Sequence, residues 1–341
     1  MVQRSYEEMV AEQKKGMPPV EQGDLTGKTV MVTGANSGIG FEAAKHFARM
    51  NPARLVIVCR SVEKAQESIR QIEAETGYKN AEALALDLGD FKSISESATK
   101  SLESLDRLDI LVENAAIANM DSYTQTVDGW ESMLQINSLG PAMHSLLLLP
   151  LIIKTAKVHS VIPRLVVVSS EVIFYADLPA DVITAPNILE KLSDKEYCTP
   201  EIYKNRYTQS KILNVMLVRK LAALLPQNII PVALNPGYCI SGLRRDAKGE
   251  QAAKYQAMED EFAYTSEEGS RQIIFSAIGG KDNGQELRGE FTSYSRVLEV
   301  SDWLLSAQGK NAEDKIWNET LEVLSKVDSR VPVIVAEHLK A

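Results

Sequence analysis

The sequence predicts an α/β fold, a single domain on a doubly wound parallel sheet with insertions. Three observations predict it. Short apolar runs rich in β-branched residues recur from Lys28 onward, each followed by a turn and a helical stretch. The runs show little period-2 alternation, as expected of strands buried on both faces. A glycine-rich turn joins the first run to the first helical stretch.

The runs are Val30–Val32, Leu55–Val58, Ala83–Leu86, Ile110–Val112, Leu165–Val168 and Ile229–Ala233. Helices are expected over Phe41–Met50, stopped by Asn51-Pro52, and over Ser61–Thr76, with Ser61 as the N-cap. Further helices are expected near Ser93–Leu105, Trp130–Ala156, Tyr203–Leu225 and Ser266–Ile278. Residues 1–26 are polar, hold Pro18-Pro19 and read as an arm on the surface or a tail, a tail without function being favoured. The main domain is placed at 27–295, with a helical extension at 296–341. Within that extension, Asn311 to Lys326 reads as an amphipathic covering helix with Ile316, Trp317, Leu321 and Leu324 inward. Two stretches break the rhythm, 171–206 and 238–264. Both emerge at the carboxyl ends of strands, where open α/β sheets bind ligands.

The 341 residues include 37 Lys and Arg against 46 Asp and Glu, a formal net charge of −9. That balance argues against nucleic-acid binding. Cys59, Cys198 and Cys239 make no disulfide or metal pattern, and the four histidines lack ligand spacing, so no metal is expected. The N-terminus has no apolar signal region, and the longest apolar run, Leu146–Ile153, is broken by Pro150 and too short for a membrane span. A cytoplasmic protein is the expectation.

The turn Thr33-Gly34-Ala35-Asn36-Ser37-Gly38-Ile39-Gly40 lies between the first strand and first helix. In that context glycines let backbone N–H groups approach a diphosphate at the positive helix end. Gly34, Asn36, Ser37, Gly38, Ile39 and Gly40 are the candidate contacts. At the end of the second strand, Cys59-Arg60-Ser61 offers no carboxylate for a ribose 2′-OH. Arg60 and Ser61 suit a 2′-phosphate instead, so NADP(H) is preferred over NAD(H). Asp87 and Leu88, after the third strand, are candidates for seating the adenine.

Tyr207 and Lys211 stand four apart, on one face if the segment is helical. An ammonium beside a phenol favours the phenolate and tunes it for acid–base work. Of the 11 tyrosines, Tyr207 alone has a Lys four residues on.

The glycine turn, Asn114-Ala115-Ala116, Asn137, Ser169-Ser170, Tyr207…Lys211 and Asn235-Pro236-Gly237 occur in the order of the short-chain dehydrogenase/reductase superfamily, which the chain resembles over residues 25–295. Cys59-Arg60-Ser61 and the long insertion before Tyr207 look most like its retinol-dehydrogenase-like and protochlorophyllide-reductase-like branch. The tail is similar to fungal members tied to secondary metabolism. The resemblance implies a Rossmann-type fold and a catalytic set of Asn137, Ser170, Tyr207 and Lys211. Tyr207 would exchange the proton, and Ser170 would bond the carbonyl oxygen. Lys211 would hold the nicotinamide ribose and lower the Tyr207 pKa, and Asn137 would anchor a relay water. Asn114, Ala115, Pro236, Gly237 and Ser241 would complete the cofactor site. Glu113 stands where the family has an Asn, and Ala116 where it has a Gly; local repacking is expected there.

The resulting expectation is NADPH-dependent reduction of a ketone or aldehyde on a hydrophobic small molecule. Its competitors are oxidation of a secondary or retinoid-like alcohol, a non-catalytic NADP(H)-binding scaffold, and a non-redox isomerisation or cyclisation. Relatives are often dimers, so a homodimer is an expectation that the insertions leave open. Phe174, Tyr175, Tyr197, Tyr203 and Tyr238 are candidates for a pocket wall or for local packing.

Overall fold

The computed structural model describes residues 4–119, 122–175, 177–245 and 247–340, so one position in each insertion lies outside it. Strands β1 (Thr29–Thr33), β2 (Arg54–Cys59), β3 (Ala81–Ala85), β4 (Ile110–Glu113), β5 (Arg164–Val168) and β6 (Ile230–Leu234) form a parallel sheet. Two short strands extend it, β7 (Phe291–Ser293), parallel to β6, and β8 (Arg296–Leu298), antiparallel to β7. The order is β3-β2-β1-β4-β5-β6-β7-β8, so the winding reverses between β1 and β4. A crevice at the strands' carboxyl ends follows from that reversal. The sheet also continues past position 295, where the sequence reading had ended the main domain.

Alternate residues of each strand supply two apolar layers. Val30, Val32, Leu55 and Ile57 pack with Ala43 and Phe47 of helix α2 (Gly38–Arg49), Ala65 and Ile72 of α3 (Val62–Thr76) and Ile273 and Ile274 of a later helix, Ser266–Ile278. Met31, Val56, Leu111 and Val167 face the other way, onto α4 (Phe91–Ser104), α5 (Ser132–His159) and α6 (Arg206–Leu224). By length and hydropathy α5 could cross a membrane, but 83% of its most apolar window is buried in the protein, which gives that apolarity a packing role. β3, read as buried on both faces, is an edge strand of intermediate exposure.

Within α5 the segment Gln135–Leu139 is a wider π turn, with Gly140 N–H bonding Gln135 five residues back. Pro141 gives a cause: proline has no N–H for the Asn137 carbonyl and crowds it.

Among the described residues, the insertion after β5 contains the short helices Glu171–Phe174, Ala180–Ile183, Ile188–Ser193 and Pro200–Tyr203. A buried ion pair anchors its end. Arg206 Nε lies 3.5 Å from Glu131 Oε2, both side chains fully buried. The Glu131 carboxylate also accepts from Met133 N and Leu134 N at the start of α5 and from the Tyr203 hydroxyl.

Beyond the sheet, α7 (Ala307–Val327) lies on α6, with Ile316, Trp317 and Leu324 buried and Leu321 partly so, while Arg219 meets Glu313 and Lys220 meets Asp314, each at 2.7 Å. Glu319 accepts the Ile188 and Leu189 N–H groups, capping a short helix of the insertion. The last helix, α8 (Arg330–His338), packs on α5 and is tied to α4 by Arg330, which donates to Thr99 Oγ1 and to the Ser95 carbonyl.

The polar N-terminal stretch is not a loose tail. Ser5 and Glu8 form a reciprocal capping box for α1 (Tyr6–Gln13), and that helix buries Met9 and Gln13.

Candidate active site

One cavity of about 740 Å³ opens at the carboxyl ends of the strands and joins most of the predicted positions. Gly34, Asn36, Ser37, Gly38, Ile39 and Gly40 form its floor. Ser37 precedes α2 without capping it through its side chain, so the first N–H groups of a 12-residue helix face the cavity's contents. The turn is tightly braced. Asn114 donates to the Thr33 carbonyl at 2.9 Å and reaches Gly34 O at 3.4 Å. A Cβ on Gly40 would stand 2.4 Å from that amide and 2.6 Å from Gly34 O, so only glycine fits. Those N–H groups and that close backbone suit a diphosphate.

Arg60, Asp87, Leu88, Asn114 and Ala115 line the adjoining wall. Ser61 does not. Its hydroxyl accepts from Lys64 N and donates to Glu63, as an N-cap does. Lys64, one turn into α3, lines the cavity and was missed; Arg60 and Lys64 together are a cationic pair suited to a phosphate. Glu113, at the family's Asn position, is fully buried and bonds His144 Nδ1 at 2.6 Å and the Thr33 hydroxyl at 3.2 Å.

At the other end the 37-residue interval loops out, and Ser170 and Tyr207 line the same cavity, the Ser170 Oγ accepting from Val172 N at 3.4 Å. Lys211 lies one turn along α6, its Nζ 5.6 Å from the Tyr207 ring centre and donating to the Val168 carbonyl at 2.8 Å. Burial pushes the Tyr207 phenol up to about 12. Burial also pushes the Lys211 ammonium down to about 7. Among the largest influences on the phenol, the lowering ones are the Arg244 charge and the Ser170 hydroxyl. Enclosure favours the neutral form of both groups, and the opposing cation is Arg244.

Asn137 lies behind the cavity, not in it. In the π turn its amide accepts from Ile117 N and donates to Ile117 O and Ser210 Oγ, fixing the strand-end loop against α6. Ser169 donates to the Lys211 carbonyl. Pro236, Gly237 and Ser241 line the cavity. Gly237 takes φ +82°, and a Cβ there would meet the Tyr264 ring at 2.7 Å. Of the aromatic candidates, Tyr175 and Tyr238 line the cavity. Phe174 packs edge-on to Phe291, Tyr203 packs with Tyr123, and Tyr197 sits under Lys191.

Several cavity residues had no sequence signal: Tyr6 and Met9 from the N-terminal helix, Glu171 after Ser170, and Arg244, Tyr255 and Met258 from the second insertion. They are brought in by tertiary packing, which no local pattern encodes.

Residues 28–175 match the family profile described as short chain dehydrogenase. The chain is 32% identical over 318 residues to the short-chain dehydrogenase anuD of Penicillium roqueforti, covering 91% of this chain and 80% of that one. It is 29% identical over 314 residues to the short chain dehydrogenase/reductase dmxR8 of a Cryptosporiopsis species, covering 91% and 94%. A short chain dehydrogenase of Shigella flexneri complexed with NADP superposes with a TM-score of 0.60 at 22% identity, covering 81% of this chain and all of that one. L-sorbose reductase of Gluconobacter frateurii, complexed with NADPH and L-sorbose, gives 0.56 at 18% identity, covering 80% and 96%.

Proposed function

The chain belongs to the short-chain dehydrogenase family, and on that premise we propose that it is an NADPH-dependent reductase of a ketone or aldehyde on a hydrophobic small molecule. The observation that carries the reading is that Ser170, Tyr207 and Lys211, the last two one helical turn apart, line the same cavity as the glycine turn.

The dinucleotide, when bound, supplies the hydride. The α2 N-terminus would hold its diphosphate and Arg60 with Lys64 a 2′-phosphate, which favours NADP(H) over NAD(H). Tyr207, held at about 12, keeps its proton through the neutral range and stands ready as a donor to a carbonyl oxygen. The Ser170 hydroxyl, on the same cavity wall as Tyr207, is placed to steady that oxygen. Lys211, one turn from Tyr207 in the same cavity, has its ammonium pushed down by burial and would hold the nicotinamide ribose. Asn137 acts as a positioning residue for the loop at Ile117. The fungal sources of the similar chains fit a secondary-metabolite intermediate as substrate. We read the protein as a monomer at the α5 and α6 faces, because α7 and α8 cover them.

The test is Tyr207→Phe. Removing the proton donor is expected to lower kcat by about 10²–10⁴-fold. NADPH binding, followed by cofactor fluorescence, should persist. Undiminished carbonyl reduction in that variant would remove Tyr207 as the acid.

A further inference from the structure

Residues 4–13 lie far from the catalytic set in sequence but meet it in space. Arg4 Nη1 is 2.8 Å from Glu171 Oε1, and both side chains are nearly buried. Glu171 directly follows Ser170, lines the cavity, and is held by Asn235 Nδ2 at 2.9 Å and the Tyr294 hydroxyl at 3.2 Å. At the far end of the helix, Gln13 is 1% exposed. Its amide donates to the Tyr238 carbonyl at 2.6 Å and the Phe262 carbonyl at 2.9 Å and accepts from Tyr238 N at 2.9 Å. The helix is thus stapled across both ends of the second insertion. Between the two attachments, Tyr6 packs edge-on to Phe262, and Tyr6 and Met9 face the cavity.

We propose that residues 4–13 are the outer wall of the substrate cavity, with Tyr6 and Met9 setting the size of the carbonyl compound admitted and Gln13 positioning the second insertion. The proposal rests on the reductase reading above. This end of the cavity also holds Tyr175, Tyr238, Tyr255 and Met258, with Glu171 and Arg244 as its charged members. Arg244 lies over both the Tyr238 and Tyr255 rings, at 4.1 and 5.7 Å, and fixes them. Aromatic rings and thioethers fit a flat apolar body, so the substrate class is an aromatic or extended conjugated carbonyl compound.

The test uses the full-length protein with acetophenone and 2-acetylnaphthalene as small and large flat probes. Met9→Ala should raise the kcat/KM ratio of the large to the small ketone about tenfold, through KM, and Met9→Trp should lower it about as much. Gln13→Leu should raise amide hydrogen exchange across 238–262 about tenfold while exchange in the central strands holds. The same ketones are titrated by calorimetry into NADP-loaded Tyr207→Phe protein. Failure of the parent protein to reduce either ketone, which counts against the reductase reading, is thereby separated from loss of size discrimination, which counts against the wall. Ratios within about twofold of the parent in both Met9 variants, unchanged exchange in Gln13→Leu, or binding of neither ketone would overturn the proposal.

Discussion

Lys211 and Tyr207 are neighbours whose ionisations burial drives in opposite directions, and the two shifts separate cleanly in pH. The folded Lys211 titrates near 7 against 10.5 for a free lysine. Between those values the unfolded chain binds more protons, so stability rises with pH there by up to about 1.4 kcal/mol per unit from this group. Tyr207 acts only above about pH 10, where its raised pKa means the folded state binds more protons and stability falls. The expected outcome is that cofactor-free protein gains stability from pH 7 to 9 more steeply than Lys211→Met, by denaturant unfolding at each pH. Equal slopes would show that Lys211 is not held neutral.

At this scale the candidate site residues were legible because chemistry needs particular side chains at fixed offsets. A Tyr and a Lys four apart on a helix, or glycines between strand and helix, leave few other readings. Ser61 carried two readings, because a serine before a helix serves equally as a phosphate donor and as a cap, and the cap is the one the hydrogen bonds show. Lys64 was invisible because a lysine one turn into a polar helix looks like any solvated charge.

Among the elements, the six parallel strands and the helices between them were readable from the run of β-branched residues and the change of period. The three-residue strands β7 and β8 were not, since three residues carry no period. The π turn was also hidden, although Pro141 marks its cause. The start of α6 depends on a pairing that spans 75 positions, Arg206 with Glu131, which sequence spacing does not announce. Removing one partner of a buried pair leaves the other charge uncompensated. Arg206→Leu is therefore expected to lower unfolding free energy by about 3–5 kcal/mol, and adding Glu131→Gln should recover much of it. Denaturant unfolding of the single and double variants checks this; a double variant no better than the single would show that the pair's coupling is not the cause.

For the whole molecule, the question is what the apolar helices α5 and α6 face. The C-terminal helices answer it through Ile316, Trp317 and Leu324 and through the Arg219–Glu313 and Lys220–Asp314 pairs. Sedimentation is expected to give one species at the chain mass, 37.6 kDa. Trp317→Asp puts a charge into that contact and removes a large buried ring, a loss of about 3–5 kcal/mol from the ring alone. It should loosen the cover and yield dimers or larger species in the same measurement. A parent protein that already sediments as a dimer through α5 and α6 would refute the covered-face reading. The expectation of a covering helix was sound because its apolar stripe is periodic; what it covers depended on topology.

The Gln13 staple grips only main-chain atoms, the Tyr238 N–H and carbonyl and the Phe262 carbonyl. Its hold is therefore indifferent to which side chains the intervening residues carry. Natural divergence or a designed library can rewrite that stretch for a new substrate without loosening the fastening.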